Sequence, residues 1–139
     1  MAVPYLSCMA LVASLYGLPP RVLPSIQAVE GGRPGTVHIN ADGSQDLGVM
    51  QVNTRWLPAL SAYTGLNAAT VRDRLLSRAC FNIAAAGAIM RTYLDEAGGD
   101  LMQAVGYYHS HTPALGERYR TLVMGAATRL FVTGPTASR

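Results

Sequence analysis

Between Leu76 and Leu94 the residues Leu76, Cys80, Ile83, Gly87, Met90 and Leu94 follow one another at alternating four- and three-residue steps. At about 100° per residue this spacing draws one continuous stripe along a helix, and a stripe that long must be covered by other elements. A helical region is therefore expected from Asn67 to Ala97, with Cys80 turned to the core and Gly87 leaving room for a second helix to cross. Gly98–Gly99 break it, and Asp100 can cap a following helix in which Leu101, Val105 and Tyr108 share a face and Tyr107 points elsewhere. Pro113 opens a last helix with Leu115, Tyr119, Leu122, Ala126 and Leu130 inward. Near the other end, Leu6, Met9, Ala10, Ala13 and Leu15 read as an amphipathic helix ended by Gly17. The pair Pro19–Pro20 then opens a second helix, in which Pro24 stands late for a regular start.

Residues 31–47, GGRPGTVHINADGSQDL, interrupt this pattern with glycines, prolines and polar residues, and read as an extended loop or small hairpin. Asp42–Gly43 supplies a tight turn. After it, Asn53 or Thr54 can cap a short helix. The expected fold is mainly α, in the α+β sense: one helical domain over residues 1–132, with a small irregular or β-hairpin insert and a flexible tail at 133–139.

Several function classes fall away on composition. Half of the residues are hydrophobic and 14% are charged, which excludes general disorder. All 11 basic residues are arginine and they are scattered, apart from Arg72, Arg74 and Arg78. A nucleic-acid binder presents a denser basic stripe with interleaved aromatics, so nucleic acid is not expected as a partner. No stretch is long enough to span a membrane. The apolar N-terminal stretch lacks a basic region and a cleavage site, so an exported form is expected to have lost its leader before Met1. His109 and His111 stand at an i, i+2 spacing beside a proline, and neither they nor His38 has a cysteine cluster in support; no metal and no cofactor are expected. Cys8 and Cys80 are compatible with a disulfide or with two buried thiols. If joined, the cross-link contributes roughly 4 kcal/mol in the chain-entropy account.

The chemistry points to Glu30. Val22, Leu23, Ile26 and Val29 form the apolar stripe of the second helix, and Glu30 falls inside that arc just before Gly31–Gly32 end the helix. A carboxylate on the core side of a helix is costly to desolvate and so calls for a reason. A carboxyl group in a partly apolar cleft has its pKa raised and becomes a general acid near neutral pH. Some twenty residues on, GVMQVN alternates polar Gln51 and Asn53 with apolar Met50 and Val52. Further still, Tyr108 lies on an inward face. Read without context, Glu30 is better explained as a helix-end carboxylate that swings into solvent or pairs with Arg33, and Tyr108 as an ordinary core tyrosine.

The ordered set AVEGG, DLGVMQVN, CFNIAAAGAIM and AVGYYHSHTP resembles the lysozyme-like lytic transglycosylase domain, closest to the small forms associated with type IV secretion, conjugation and pilus systems. The resemblance runs from about Cys8 to Leu130. It implies that Glu30 is the single catalytic acid and base. It implies further that Gly48, Val49, Met50, Gln51 and Val52 line a saccharide cleft, with Met50 and Gln51 touching substrate. Asn82 and Ile83 match a structural pair of the core helix, and Tyr108 a tyrosine close to the catalytic glutamate. Cys8 and Cys80 stand where such proteins carry a disulfide. Gly31, where many members have serine, and His109, where asparagine is usual, depart from the pattern and put the substrate contacts of those two positions in doubt.

By the same resemblance the chain is expected to be a periplasmic, monomeric enzyme acting on peptidoglycan glycan strands, with secretion, conjugation or pilus subunits as further partners. It would cleave the MurNAc–GlcNAc β-1,4 bond and leave a 1,6-anhydro product. Ordinary glycosidases use two carboxylates about 5–9.5 Å apart, for which Asp42 and Asp46 are the loop candidates, Asp42 being better explained by its turn. A muramidase-type hydrolase, a non-catalytic glycan-binding adaptor and a generic helical interaction domain remain the competing readings.

Overall fold

The computed structural model describes residues 3–132. It is mainly helical, with seven α-helices and a small antiparallel sheet in the order β1-β2-β3 among those residues. The helices are α1 (Leu6–Tyr16), α2 (Val22–Glu30), α3 (Leu57–Thr64), α4 (Ala68–Ser77), α5 (Ala79–Glu96), α6 (Leu101–His109) and α7 (Pro113–Ala127). The strands are β1 (Val37–Ile39), β2 (Gln45–Leu47) and β3 (Val52–Asn53). The expected tail at 133–139 lies outside the described residues. No helix among them is long and apolar enough to cross a membrane.

The chain divides into two compact units, one of the residues up to Val29 and from Gly87 onward, the other of Glu30–Ala86. In the first, α1 buries Met9, Val12 and Ala13, while Leu6 and Leu15, expected inward, are exposed. The face is set by Gly87, where a Cβ would stand 2.3 Å from Val12 Cγ1, so the two helices cross on the Val12 side. Helix α2 starts at Val22, later than the proline pair implies. Ser25 N–H makes the first helical bond, to Arg21 O, so Pro24 sits in the opening turn, where a missing N–H is harmless.

Helices α6 and α7 meet at Gly106 and Gly116, where a Cβ on Gly106 would lie 3.2 Å from Gly116 O. That close approach rotates α7 so that Gly116, Tyr119, Val123 and Ala126 are buried, whereas Leu115 and Leu122 are exposed, contrary to the sequence expectation. Asp100 caps α6 by accepting from Gln103 N–H, and Pro113 begins α7, both as expected.

In the second unit the sheet is a hairpin plus a short third strand that the sequence pattern did not reveal. Val37 pairs with Leu47, His38 with Asp46 and Ile39 with Gln45, and Leu47 pairs with Val52 on its other side. Asp42 Oδ1 accepts from both Ser44 N–H (2.9 Å) and Ser44 O–H (2.6 Å), closing the turn at Gly43. These two donors hold the exposed Asp42 carboxyl below its usual pKa, the hydroxyl contributing most. Asn53 caps a 3₁₀ turn (Thr54–Trp56) that leads into α3.

The expected helical region over 67–97 is present as two helices. Asn67 caps α4 by accepting from Thr70 N–H, but the backbone turns extended at Arg78 before α5 begins. The interruption shifts the stripe: Val71 and Leu75 are buried in α4, and Ile83, Gly87, Met90 and Leu94 in α5, while Cys80 is exposed. Cys8 and Cys80 are both disulfide-bonded.

Candidate functional site

Glu30 is the last residue of α2 and is half-buried, as the stripe of that helix requires. The chain leaves it through Gly31, whose φ of +68° ends the helix, and then Gly32. Gly32 is buried, and the reason is spatial. A Cβ there would stand 2.0 Å from Gly48 O and 2.7 Å from Val49 O, so only glycine lets the exit from Glu30 rest directly on the backbone of the 48–51 turn. The structure thus brings the Glu30 exit together with Gly48 and Val49, residues separated in sequence by the whole hairpin.

That turn is fixed from below. Gly48 adopts φ +70°, and a Cβ on it would meet Leu75 O at 2.3 Å and Asn82 Nδ2 at 2.6 Å. Asn82 is fully buried on α5 and uses its amide completely. Its Oδ1 accepts from Met50 N–H at 2.8 Å, and its Nδ2 donates to Leu47 O and Leu75 O, each at 2.8 Å. One side chain therefore ties the turn, the end of β2 and the end of α4 together, and supplies partners that buried backbone groups require. Gly35 N–H, donating to Leu76 O at 2.7 Å, anchors the loop after Glu30 to the same helix end.

Within the turn Val49 and Met50 are fully buried, which makes them part of the core beneath the site. Gln51 is different. It is half-exposed with φ +54°, a left-handed conformation that an L-residue adopts at a cost of order 1 kcal/mol. Its backbone N–H and its Nε2 both donate to Gly48 O, at 3.1 and 2.9 Å. Those bonds hold the strained residue and present its amide at the surface of the turn.

Asp46 lies on β2, half-buried, two residues before Gly48. Its carboxylate accepts from Asn53 Nδ2 at 2.9 Å and faces His38 Nδ1 at 3.6 Å. Asn53 Nδ2 also reaches Ser44 Oγ at 3.0 Å, so an organised polar row crosses this face of the sheet. Spacing alone did not single out that row; its signal was the alternation of His38, Asp46 and Asn53 at paired positions, legible only once register is known.

Tyr108 belongs to the other unit. It is half-buried on α6, and its ring is stacked with Tyr119, centroids 6.5 Å apart. His109, exposed, stacks on the same Tyr119 at 5.0 Å. His111 pairs with Glu96 at 2.7 Å and stacks on Tyr107. The turn after Glu30, the 48–51 turn and the polar row of the sheet thus form one candidate site within a single unit. It carries the Glu30 carboxyl group, the Gln51 amide in its left-handed conformation and the Asp46 carboxylate.

No family profile matches this chain, and no curated protein matches it.

Proposed function

We propose that the protein is a peptidoglycan lytic transglycosylase with Glu30 as its only general acid and base. The observation that carries this reading is the seating of the Glu30 exit on the Gly48–Val49 backbone, with Asn82 clamping the turn from within the core. A helix that ends in a half-buried acid, held against a rigid turn bearing a surface amide, suits proton donation to a bound saccharide. The order of sequence motifs supports the same reading.

In this mechanism Glu30 protonates the glycosidic oxygen as the bond from the anomeric carbon breaks, assisted by the N-acetyl group of the muramic acid. The resulting carboxylate then takes the proton of the sugar's own 6-hydroxyl. The freed oxygen closes on the anomeric carbon, giving a 1,6-anhydro ring and restoring the acid. Water does not enter the products. Gln51 is proposed as a saccharide contact. Acid catalysis of this kind contributes about 10²–10⁴-fold. The disulfide accords with an oxidising compartment, and we assign the protein to the periplasm, opening the wall locally for a secretion, conjugation or pilus apparatus.

One observation favours a second reading. Asp46, half-buried and oriented by Asn53, is a candidate second carboxylate, which a hydrolase needs to activate water. Mass spectrometry of products from purified sacculi, with wild type and with Glu30→Gln, separates the readings. Anhydromuropeptides from wild type alone are expected. Reducing muropeptides from wild type alone would transfer the reaction to hydrolysis. Equal release by Glu30→Gln would overturn the role of Glu30, and binding to sacculi without release by either protein would favour an adaptor.

A further inference from the structure

Beside the Gly106–Gly116 crossing of α6 and α7 lies a cavity of about 200 Å³, lined by residues of the first unit. Its polar wall includes Gln103, Tyr107, Ser110, Thr112, Glu117 and Arg120. The wall is pre-set. Tyr107 is stacked on His111 at 4.0 Å and meets Tyr93 edge-on, and His111 is itself held by Glu96. Gln103 Nε2 donates to the Tyr107 oxygen at 2.7 Å, and a phenol that accepts keeps its own proton to donate. Ser110 Oγ likewise accepts, from Thr112 N–H at 3.0 Å. The wall is therefore rich in hydroxyl donors. It carries one guanidinium and one carboxylate, Arg120 and Glu117, one turn apart and 3.8 Å from each other.

A contact of 3.8 Å between such solvent-accessible groups is a loose pair, worth little in itself. Two opposite charges so placed at a cavity fit a ligand that brings both signs at a similar separation, because each then gains a charge-assisted hydrogen bond. A cavity of about 200 Å³ has room for the end of a short chain but not for a large ligand. Both aromatic rings of the wall are already stacked, so the cavity lacks the open platform that a sugar ring would use.

We propose that this cavity binds the end of a short peptide carrying a free carboxylate and a free ammonium group, the carboxylate on Arg120 and the ammonium on Glu117. That the stem peptides of the cell wall supply this end rests on the transglycosylase reading; the chemistry of the cavity does not.

The test is titration of ¹⁵N-labelled full chain, carrying Glu30→Gln, with the free tripeptide L-Ala–γ-D-Glu–diaminopimelate, followed by amide shifts at Gly106, Ser110 and Gly116. Because the probe contains no glycan, the outcome is independent of cleavage. Saturable shifts at those amides are expected, weakened about tenfold by Arg120→Gln and by amidating the peptide's carboxylates. Absence of shifts at millimolar peptide would overturn the proposal, as would binding indifferent to both changes. Equal binding of acetate would overturn the two-charge ligand in favour of a simple anion site. Should Arg120→Gln fail to fold, the amidated peptide and Glu117→Gln decide the matter on the same criteria. Absence of sacculus cleavage by the wild type, with peptide binding intact, would count against the transglycosylase alone.

Discussion

Replacing Asn82 by alanine tests the architecture of the site more directly than any change at its surface. The substitution orphans Met50 N–H, Leu47 O and Leu75 O, three groups now bonded at 2.8 Å by a side chain with no exposed surface. A buried donor left without a partner loses about 1–3 kcal/mol. Carbonyls with a second lone pair lose less, and the vacated amide adds a small void. The expected destabilisation is about 3–5 kcal/mol, a large part of the roughly 5–15 kcal/mol typical of a domain. At this chain length that corresponds to a fall in Tm of roughly 10–20 °C. Urea unfolding followed by fluorescence of Trp56, the only tryptophan and a member of the same unit, reads the loss where it should occur. Asn82→Asp sharpens the test. It keeps the acceptor for Met50 but turns a carboxylate towards two carbonyl oxygens, so its folded-state pKa must lie above the unfolded one. Stability of that variant should be highest below the unfolded pKa and fall as pH rises through the folded pKa. A loss under about 1 kcal/mol for Asn82→Ala would refute the clamp, because so small a figure is incompatible with an orphaned buried donor.

Gly32→Ala places a Cβ on Gly48 O and should destabilise by at least about 2 kcal/mol while lowering turnover by more than the melting change explains; a thermal melt beside a sacculus assay checks both. Reduction of the Cys8–Cys80 disulfide should lower stability by roughly 4 kcal/mol, read from urea midpoints with and without reductant, and equal midpoints would contradict it. Asp42 should titrate below its ordinary value by NMR, and Ser44→Ala should return it upward. Because the folded pKa is depressed, what this turn contributes is present above the unfolded pKa and lost as pH falls through the folded one.

How far the sequence could be read depended on whether a residue's role was local. Caps are local, and Asn53, Asp100 and Pro113 act as their chemistry predicts. The inward position of Glu30 followed from helical spacing and holds as a half-buried residue. Faces set by a distant partner were not legible. Of the expected α7 stripe Leu115, Tyr119, Leu122, Ala126 and Leu130, Tyr119 and Ala126 are buried but Leu115 and Leu122 are exposed, because the buried side is fixed by Gly116 meeting Gly106, a contact that hydrophobicity does not announce. Periodicity ran unbroken past Arg78, so the interruption there, and with it the exposure of Cys80, was invisible. The third strand is two residues long and has no periodicity of its own; pairing with Asp46 and Leu47 creates it. At the site, the motif order pointed to the 48–51 turn, but the left-handed Gln51 and the fit of Gly32 on Gly48 exist only in three dimensions.

The division of the chain has a consequence for how the protein is made. Residues 30–86 form their unit as one uninterrupted segment, whereas the other unit is assembled from two stretches on either side of it. Its halves meet through long-range pairs such as Arg91 with the Tyr16 carbonyl and the Arg21 guanidinium over the Phe131 ring. In chain order α1 and α2 precede that segment, yet Val12 has no Gly87 to rest on until residues 30–86 have followed. The segment born second therefore has all its own partners first, and the segment born first must wait for the last helices. Until then the apolar faces of α1 and α2 lack the partners that cover them in the folded chain.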